Sequence, residues 1–375
     1  MKKINVALVG MGFGNSFVDI YKHHPNVGEV SLFDTNSEKL DFFAKKFSVR
    51  AHSSFEELLN DETVDAVHLI TPIPLHEEQS VRVLEAGKHC ACTVPMATSL
   101  EGIKRITEAK RKSGKNYMMM ETTLYTYQFF YVKQMLDSGE LGRIQFLRGC
   151  HYQDMNAWPG YWLGLPPMWY GTHAIAPMVA LSGSRIKRVV CFGSGTMNES
   201  FHKQYGNPYP VESALFDFEN GLKGEATRSL YETARMYLEG MYVYGSEKSF
   251  DWGFTDADSP YITTIREADA RTRHRPVDFV QLQMPNFHQY LPVEIQKFTI
   301  EKGYDPLNHE ESLKKTGPEG HHGSHPHLVH EFVTSIVENR KPWIDEVLGG
   351  NITAAGICAH ESAMKNGEFV TVPEF

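Results

Sequence analysis

The chain has 375 residues, a net charge of −9 and a pI near 6.1, so two domains of ordinary size are expected and a basic footprint for nucleic acid is excluded. Its five cysteines (Cys90, Cys92, Cys150, Cys191 and Cys358) leave one over after pairing and show no zinc-ribbon spacing, which points to reduced thiols in a cytoplasmic protein. No stretch approaches the roughly 20 apolar residues of a membrane helix, and Asn5, Gly10, Gly12, Gly14 and Asp19 interrupt what would otherwise imitate a secretory leader.

The largely apolar run at 4–9 reads as a strand buried on both faces. It runs into Gly10-Met11-Gly12-Phe13-Gly14-Asn15, a turn tight enough for a pyrophosphate, with a helix opening at about Phe13 whose free N–H groups would face that anion. The spelling departs from G-x-G-x-x-G, because Asn15 stands at the third glycine and Gly14 comes one residue early. Support comes from Asp34, which closes the strand Glu29-Val30-Ser31-Leu32-Phe33 about where an acid binds the ribose hydroxyls. A carboxylate there repels a 2′-phosphate, so NAD is expected over NADP. The alternative is a plain tight turn with Asp34 capping the next helix.

That helix spans 37–47, with Leu40, Phe43, Ala44 and Phe47 on one face. Ser54 and Glu57 form a capping box for another helix. Asp65 to Ile70 is a buried strand that enters Thr71-Pro72, a helix occupies 75–86 and stops at Gly87, and 88–94 is a strand. A helix follows from Ser99 to Gly114, then a sixth strand at Tyr117 to Met120. The alternation to about 122 predicts a doubly wound parallel sheet, the Rossmann arrangement, with its ligand beyond the carboxyl ends of the strands.

From 123 the rhythm changes. Strand-like runs at 143–153, 186–197, 211–218, 222–231, 236–244 and 247–252 are joined by turns such as Asn220-Gly221 and Tyr244-Gly245-Ser246, which predicts a large, mainly antiparallel sheet. Helices are expected at 128–138, 171–182 and 327–339, the last presenting Leu328, Val329, Phe332, Val333, Ile336 and Val337. Residues 253–325, rich in Pro, His and Gly, read as irregular. The expected division is therefore an NAD-binding α/β domain at 1–122 and an α/β substrate-binding and oligomerisation domain at 123–375.

The order of these parts resembles the Gfo/Idh/MocA oxidoreductase family. The resemblance rests on Gly10-Met11-Gly12, Asp34, Thr71-Pro72 with His76, Gly87-Lys88-His89, Gly171-Thr172-His173, Phe218-Glu219-Asn220-Gly221 and the Tyr244-Gly245-Ser246 turn, and it spans almost the whole chain. It implies a cofactor site at Gly10, Gly12, Phe13, Gly14, Asn15, Asp34, Thr71, Pro72, His76, Thr93, Val94 and Pro95. Typical members carry Glu-Lys-Pro where this chain has Thr93-Val94-Pro95, so the family's lysine is absent. Of its Asp-x-Gly-x-His segment His173 stays, while Trp169 and Ala176 replace the acids. The resemblance also implies self-association, as a dimer or tetramer, through the open face of the antiparallel sheet.

Oxidising a secondary alcohol needs a base for the hydroxyl proton, and histidine has a suitable pKa. His173 is the candidate, the alternative being a core histidine at a helix start. With the lysine gone, Tyr152, Tyr170 or a second histidine would polarise the oxygen. The aromatic segment 150–170 offers Trp158 and Trp162 for stacking on a sugar ring and Asp154 and Asn156 for its hydroxyls; the alternative is a loop sealing the domain interface.

His321, His322, His325, His327 and His330 crowd ten residues, with His288 and Tyr290 as possible companions. A metal site lacks any partnered Cys or acid spacing, so no metal is assigned. His322 and His325 are taken as residues at a substrate mouth, with surface-loop histidines as the alternative.

Three functions follow. The first is an NAD-dependent dehydrogenase acting on CH–OH groups of a sugar, polyol or glycoside. The second is a redox-neutral, NAD-dependent enzyme that cleaves or epimerises a glycoside through a keto-sugar. The third is a non-catalytic NAD- and sugar-binding regulator.

Overall fold

Strand Ile4–Val9 (β1) is almost wholly buried and sits in the middle of the first sheet, as its apolar run predicts. The computed structural model describes residues 2–256, 258–268, 275–299 and 320–375. The chain forms two compact units: one runs up to Tyr125 and includes Asn286–Gly350, the other takes Thr126–Pro285 and Asn351–Glu374.

In the first unit, helix α1 (Met11–His23), strand β2 (Val27–Phe33), helix α2 (Ser37–Phe47), strand β3 (Arg50–Ala51), helix α3 (Phe55–Asn60), strand β4 (Ala66–Leu69), helix α4 (His76–Glu85), strand β5 (His89–Cys92), helix α5 (Leu100–Ser113) and strand β6 (Tyr117–Met119) follow in order. The sheet order is β3-β2-β1-β4-β5-β6, every described pairing is parallel, and the order reverses between β1 and β4. Such a reversal opens a crevice beyond the carboxyl ends of those strands, where Gly10 and Thr71 lie.

Local chemistry sets the helix ends. Asn36 caps α2 by accepting from the Lys39 N–H, and Ser99 caps α5 by accepting from Gly102. Gly114 ends α5 with φ +67°, a left-handed C-cap that suits glycine. The Ser54 cap forms as expected, but the Glu57 carboxylate reaches the N–H of Ser53 in place of Ser54.

The first unit is not confined to the N-terminal 122 residues. Leu328, Val329, Phe332, Val333 and Ile336, the face read from the sequence, are buried in the helix Gly320–Val337, and His330 Nδ1 lies 3.0 Å from Nε2 of His24, just beyond α1. Left-handed φ at His321, His322 and Gly323 means that regular helix begins only after Gly323, which puts Pro326 in its first turn.

The second unit begins with helix α6 (Tyr127–Asp137) and strand β7 (Ile144–Tyr152). Helix α7 (Thr172–Ser182), strand β8 (Ile186–Ser194), the short helix α8 (Glu199–His202) and strands β9 (Val211–Phe218), β10 (Lys223–Ser229), β11 (Leu238–Gly245) and β12 (Lys248–Asp251) follow. Two strands, β13 (Tyr261–Ile265) and β14 (Val277–Gln281), lie within the stretch expected to be irregular. With β15 (Val370–Thr371) they complete a nine-stranded sheet, β14-β13-β12-β11-β7-β10-β9-β8-β15, antiparallel except for the β7–β10 pair.

Helix α7 covers one face of this sheet so closely that a Cβ on Gly149 would stand 2.0 Å from the Ala174 carbonyl oxygen. The other face carries exposed Phe192 and Leu215. A helix at Glu346–Met364 was not read from the sequence. Gly349 and Gly350 lower its helix propensity by about 1 kcal/mol each, yet they admit the side chains of Met119 and Ile103, so packing overrides propensity.

Candidate active site

The first unit supplies a cradle for an anion. Gly10 has φ +94°, and a Cβ there would stand 2.4 Å from the Ile70 carbonyl oxygen, so only glycine lets β1 turn this close to the end of β4. Open space surrounds the position of a Cβ on Gly12. Helix α1 begins at Met11, two residues before the expected point, with neither a side-chain cap nor an acid in its first turn. The N–H groups of that first turn beyond Met11, whose own N–H donates to Asp34, favour a phosphate.

Gly14 packs against Ile70, a hypothetical Cβ lying 3.3 Å from the Ile70 Cδ1. It thus does the work of the third glycine in the motif, close packing of helix on strand. Asn15 turns its amide back onto the Met11 and Gly12 carbonyls. Asp34 accepts from the Met11 N–H at 2.7 Å and from Asn36 N–H at 2.9 Å, so one carboxylate ties the turn to the end of β2.

Thr71, Pro72, Thr93, Val94 and Pro95 follow β4 and β5. His76 is buried between these loops, with Nδ1 2.7 Å from the Pro95 carbonyl and Nε2 2.9 Å from the Thr71 carbonyl. Burial opposes its charge, but the Cys92 sulfur and the two carbonyls outweigh it and raise the pKa to about 9. His76 is therefore an imidazolium clasp that fixes the loops flanking the crevice. Phe13, half exposed, packs edge-on against Phe17 and His325, with ring centroids 5.5 and 5.3 Å away. His325 lies over Phe17 at 4.4 Å, so it belongs to the first unit beside the glycine turn; His322 is half-buried in the left-handed turn before it.

The second unit builds a buried polar centre at one end of its sheet. His151 on β7 stands opposite Glu239 on β11 and opposite Arg228 on β10, three side chains that the strand register puts on the face covered by α7. His173, in the first turn of α7, completes the group. Nε2 of His151 and Nε2 of His173 lie 3.7 and 4.0 Å from the same Glu239 oxygen, and all three residues are at most 5% exposed.

The Tyr237 hydroxyl donates to that Glu239 oxygen, and burial followed by this carboxylate pushes the phenol well up, which keeps it a donor. Arg228 is fully buried and donates to the carbonyls of Tyr170, His151 and Ser229 and to Gln153. Burial lowers its pKa to about 10, so it remains a cation at neutral pH. A buried acid and a buried cation cost stability, and such groups gather where chemistry is done.

The centre joins some of the residues expected from the sequence and leaves others apart. Tyr170 is beside His173, with ring centroids 5.3 Å apart, and its ring packs on Trp162 at 4.8 Å, which in turn meets Trp158 at 5.8 Å. This aromatic ladder runs from half-exposed Trp158 to the buried histidines. Tyr152 is on the opposite face of β7 from His151, because adjacent strand residues alternate; its ring packs under Arg235 and is not brought to His173.

Asp154 is exposed and accepts from the Asn156 N–H, forming a local turn. Trp169, at the family's acid position, packs on Tyr205 and His360. His151, Glu239 and Arg228 were missed as site residues. The available signal was a charged residue at an inward position of an otherwise apolar strand, clearest for Glu239 in Leu238-Glu239-Gly240-Met241.

A Rossmann sheet with an anion cradle, followed by a domain with a large antiparallel sheet and a buried histidine–carboxylate centre, defines a two-domain, nucleotide-binding α/β protein. Residues 4–121 match the model described as "Oxidoreductase family, NAD-binding Rossmann fold", and residues 129–251 match the "GFO/IDH/MocA C-terminal domain". The chain belongs to the Gfo/Idh/MocA family, and its N-terminal domain is an NAD-binding Rossmann domain.

A "Glycosyl hydrolase family 109 protein" of Porphyromonas gingivalis is 24% identical over 358 residues, covering 85% of this chain and 74% of the relative. A 1-carboxy-3-chloro-3,4-dihydroxycyclohexa-1,5-diene dehydrogenase of Comamonas testosteroni is 29% identical over 126 residues, covering 33% of this chain and 32% of that protein. Among solved structures, levoglucosan dehydrogenase in complex with NADH and levoglucosan shares the fold with a TM-score of 0.80, 21% identity and full coverage of both chains. Among the described residues, no helix is long and apolar enough to cross a membrane.

Proposed function

We propose that this protein is an NAD-dependent dehydrogenase acting on a secondary alcohol carbon of a sugar, polyol or glycoside. The observation that carries the reading is the convergence of His151, His173 and Glu239 in one buried group beside the Trp158–Trp162–Tyr170 ladder. NAD supplies the acceptor and donor for hydride at the substrate carbon. The residues suited to hold it are those of the glycine turn: the N–H groups opening α1 for the diphosphate and the Asp34 carboxylate for the adenosine ribose, with Thr71, Pro72, Thr93, Val94 and Pro95 lining the strand ends.

In this reading Nε2 of His173 takes the hydroxyl proton, and the carboxylate of Glu239 4.0 Å away stabilises the imidazolium so formed. Tyr170, with its ring centroid 5.3 Å from that of His173, orients the hydroxyl. The tryptophans offer apolar faces to the C–H side of a sugar ring, and Asp154 and Asn156 meet its hydroxyls. Phe192 and Leu215 on the uncovered sheet face suit self-association into a dimer or tetramer.

The test is to add NAD and a panel of free sugars, polyols and glycosides and to follow NADH absorbance. A substrate that produces NADH stoichiometrically supports the dehydrogenase; a panel without any NADH or product rejects it. The glycosyl hydrolase name carried by relatives favours one second reading, a redox-neutral enzyme that oxidises a sugar carbon, eliminates or epimerises beside the ketone and then reduces it again. That enzyme would release an aglycone or an epimer without accumulating NADH.

A further inference from the structure

We propose that His151, His173 and Glu239 form a binding site for one divalent transition-metal ion, of the zinc, cobalt, manganese or ferrous class. One ligand atom from each residue lies within 4.8 Å of the others, and the two imidazole Nε2 atoms face one and the same carboxylate oxygen at 3.7 and 4.0 Å. A hydrogen-bonded relay would bring these atoms to about 2.7–3.0 Å. Donors around a tetrahedral ion with bonds near 2.1 Å stand roughly 3.4 Å apart, so each histidine has to close on the carboxylate by only a few tenths of an ångström, and the two imidazoles, within 4.8 Å, have to draw together around the ion.

The surroundings are those of a supported ligand set. The Tyr237 hydroxyl holds the Glu239 carboxylate, and Arg228 donates to the carbonyls of His151 and Tyr170, anchoring β7 and the segment entering α7. Partners of this kind fix ligand orientation in metal sites. Arg228 adds positive charge, but the Asp256 carboxylate, which accepts from the Glu239 N–H at 3.3 Å, adds negative charge beside it. Two imidazoles and a carboxylate select a borderline transition ion over calcium or magnesium, which take mostly oxygen ligands. Three protein ligands leave a position open, as in catalytic sites.

What fills that position rests on the dehydrogenase reading: the hydroxyl oxygen of a secondary alcohol. The ion acidifies the hydroxyl, whose O–H bond breaks with the proton passing to solvent water, and His173 in the loaded enzyme serves as a ligand in place of a base.

The test uses the full-length protein purified without chelator from metal-supplemented cells, with metal content measured by mass spectrometry. Chelator-treated protein is then titrated with cobalt(II) while its visible ligand-field absorption is followed. Wild type should carry about one ion per chain and develop the cobalt spectrum, while Glu239→Gln and His151→Asn, with wild-type circular dichroism, should each bind at least about tenfold more weakly. A wild-type protein free of transition metal and silent to cobalt overturns the proposal, as does undiminished cobalt binding in folded variants. NADH formation by ion-free wild type sinks the site and leaves the dehydrogenase standing; full loading without turnover of any sugar sinks the dehydrogenase and leaves the site.

Discussion

The two units bury histidines to different ends. In the first, His76 clasps two carbonyls, His24 meets His330 and the Asn26 N–H, and one ring nitrogen of His68 meets the Tyr21 hydroxyl at 3.2 Å, all at hydrogen-bond distance. These imidazoles hold loops and helices together. In the second, two Nε2 atoms share a single carboxylate oxygen at separations too long for hydrogen bonds and suited to a third body between them.

The sharpest way to break this comparison is to remove one histidine from the second unit. His173→Ala should lower kcat by about 10²–10⁴-fold, whether the residue is base or ligand, while NAD affinity by calorimetry stays at the wild-type value. Full turnover would return His173 to the ranks of the structural histidines.

The reciprocal change belongs in the first unit. Asp34→Ala removes the acceptor of the Met11 N–H and the acid proposed for the ribose, and should weaken NAD by about tenfold to a hundredfold, the worth of one or two hydrogen bonds to a charged group. Tight NAD binding by this variant would count against the ribose role.

Gly149→Ala tests whether the second centre depends on how closely α7 lies on β7. The new methyl meets the Ala174 carbonyl, so α7 and with it His173 must shift; kcat should fall about tenfold or more, since an ångström of misplacement is costly. NAD affinity unchanged beside that loss is the expected pattern.

The smallest effect is a pH dependence of stability. His76 has a folded pKa of about 9, above its ordinary 6.5, so its contribution is full below pH 6.5 and fades as pH rises towards 9. His24 and His68 are lowered by burial, to about 4 and about 3, so theirs is present above pH 6.5 and fades as pH falls through those values. Melting temperature against pH should therefore drop on both sides, and His76→Asn should flatten only the alkaline arm. An alkaline arm of unchanged slope in that variant would show the clasp to be neutral.

Much of the first unit was legible in the sequence because its signals are local. Asn36, Ser54 and Ser99 cap their helices by bonding three residues ahead, Gly114 ends α5 through its own φ, and Leu328, Val329, Phe332, Val333 and Ile336 show the helical period directly. The function of Gly14 was read less well, because spelling alone does not reveal that it faces Ile70. Strands β13 and β14 were hidden in a stretch whose Pro, His and Gly content masked two short runs, Tyr261–Ile265 and Val277–Gln281, whose strand character depends on pairing.

By itself, the sequence determined the βα alternation, the glycine turn with Asp34, the position of His173 at a helix start and the change to hairpins after 123. Those follow from backbone preferences and apolar periods within a dozen residues. Only the tertiary structure decided that His151, Arg228 and Glu239 stand side by side, that Tyr152 points away from them, and that residues 286–350 return to the first unit. Register and chain return are settled by burial between segments far apart in the chain, 77 residues for His151 and Arg228 and 306 for His24 and His330, and in a sheet a slip of one residue turns every side chain to the other face.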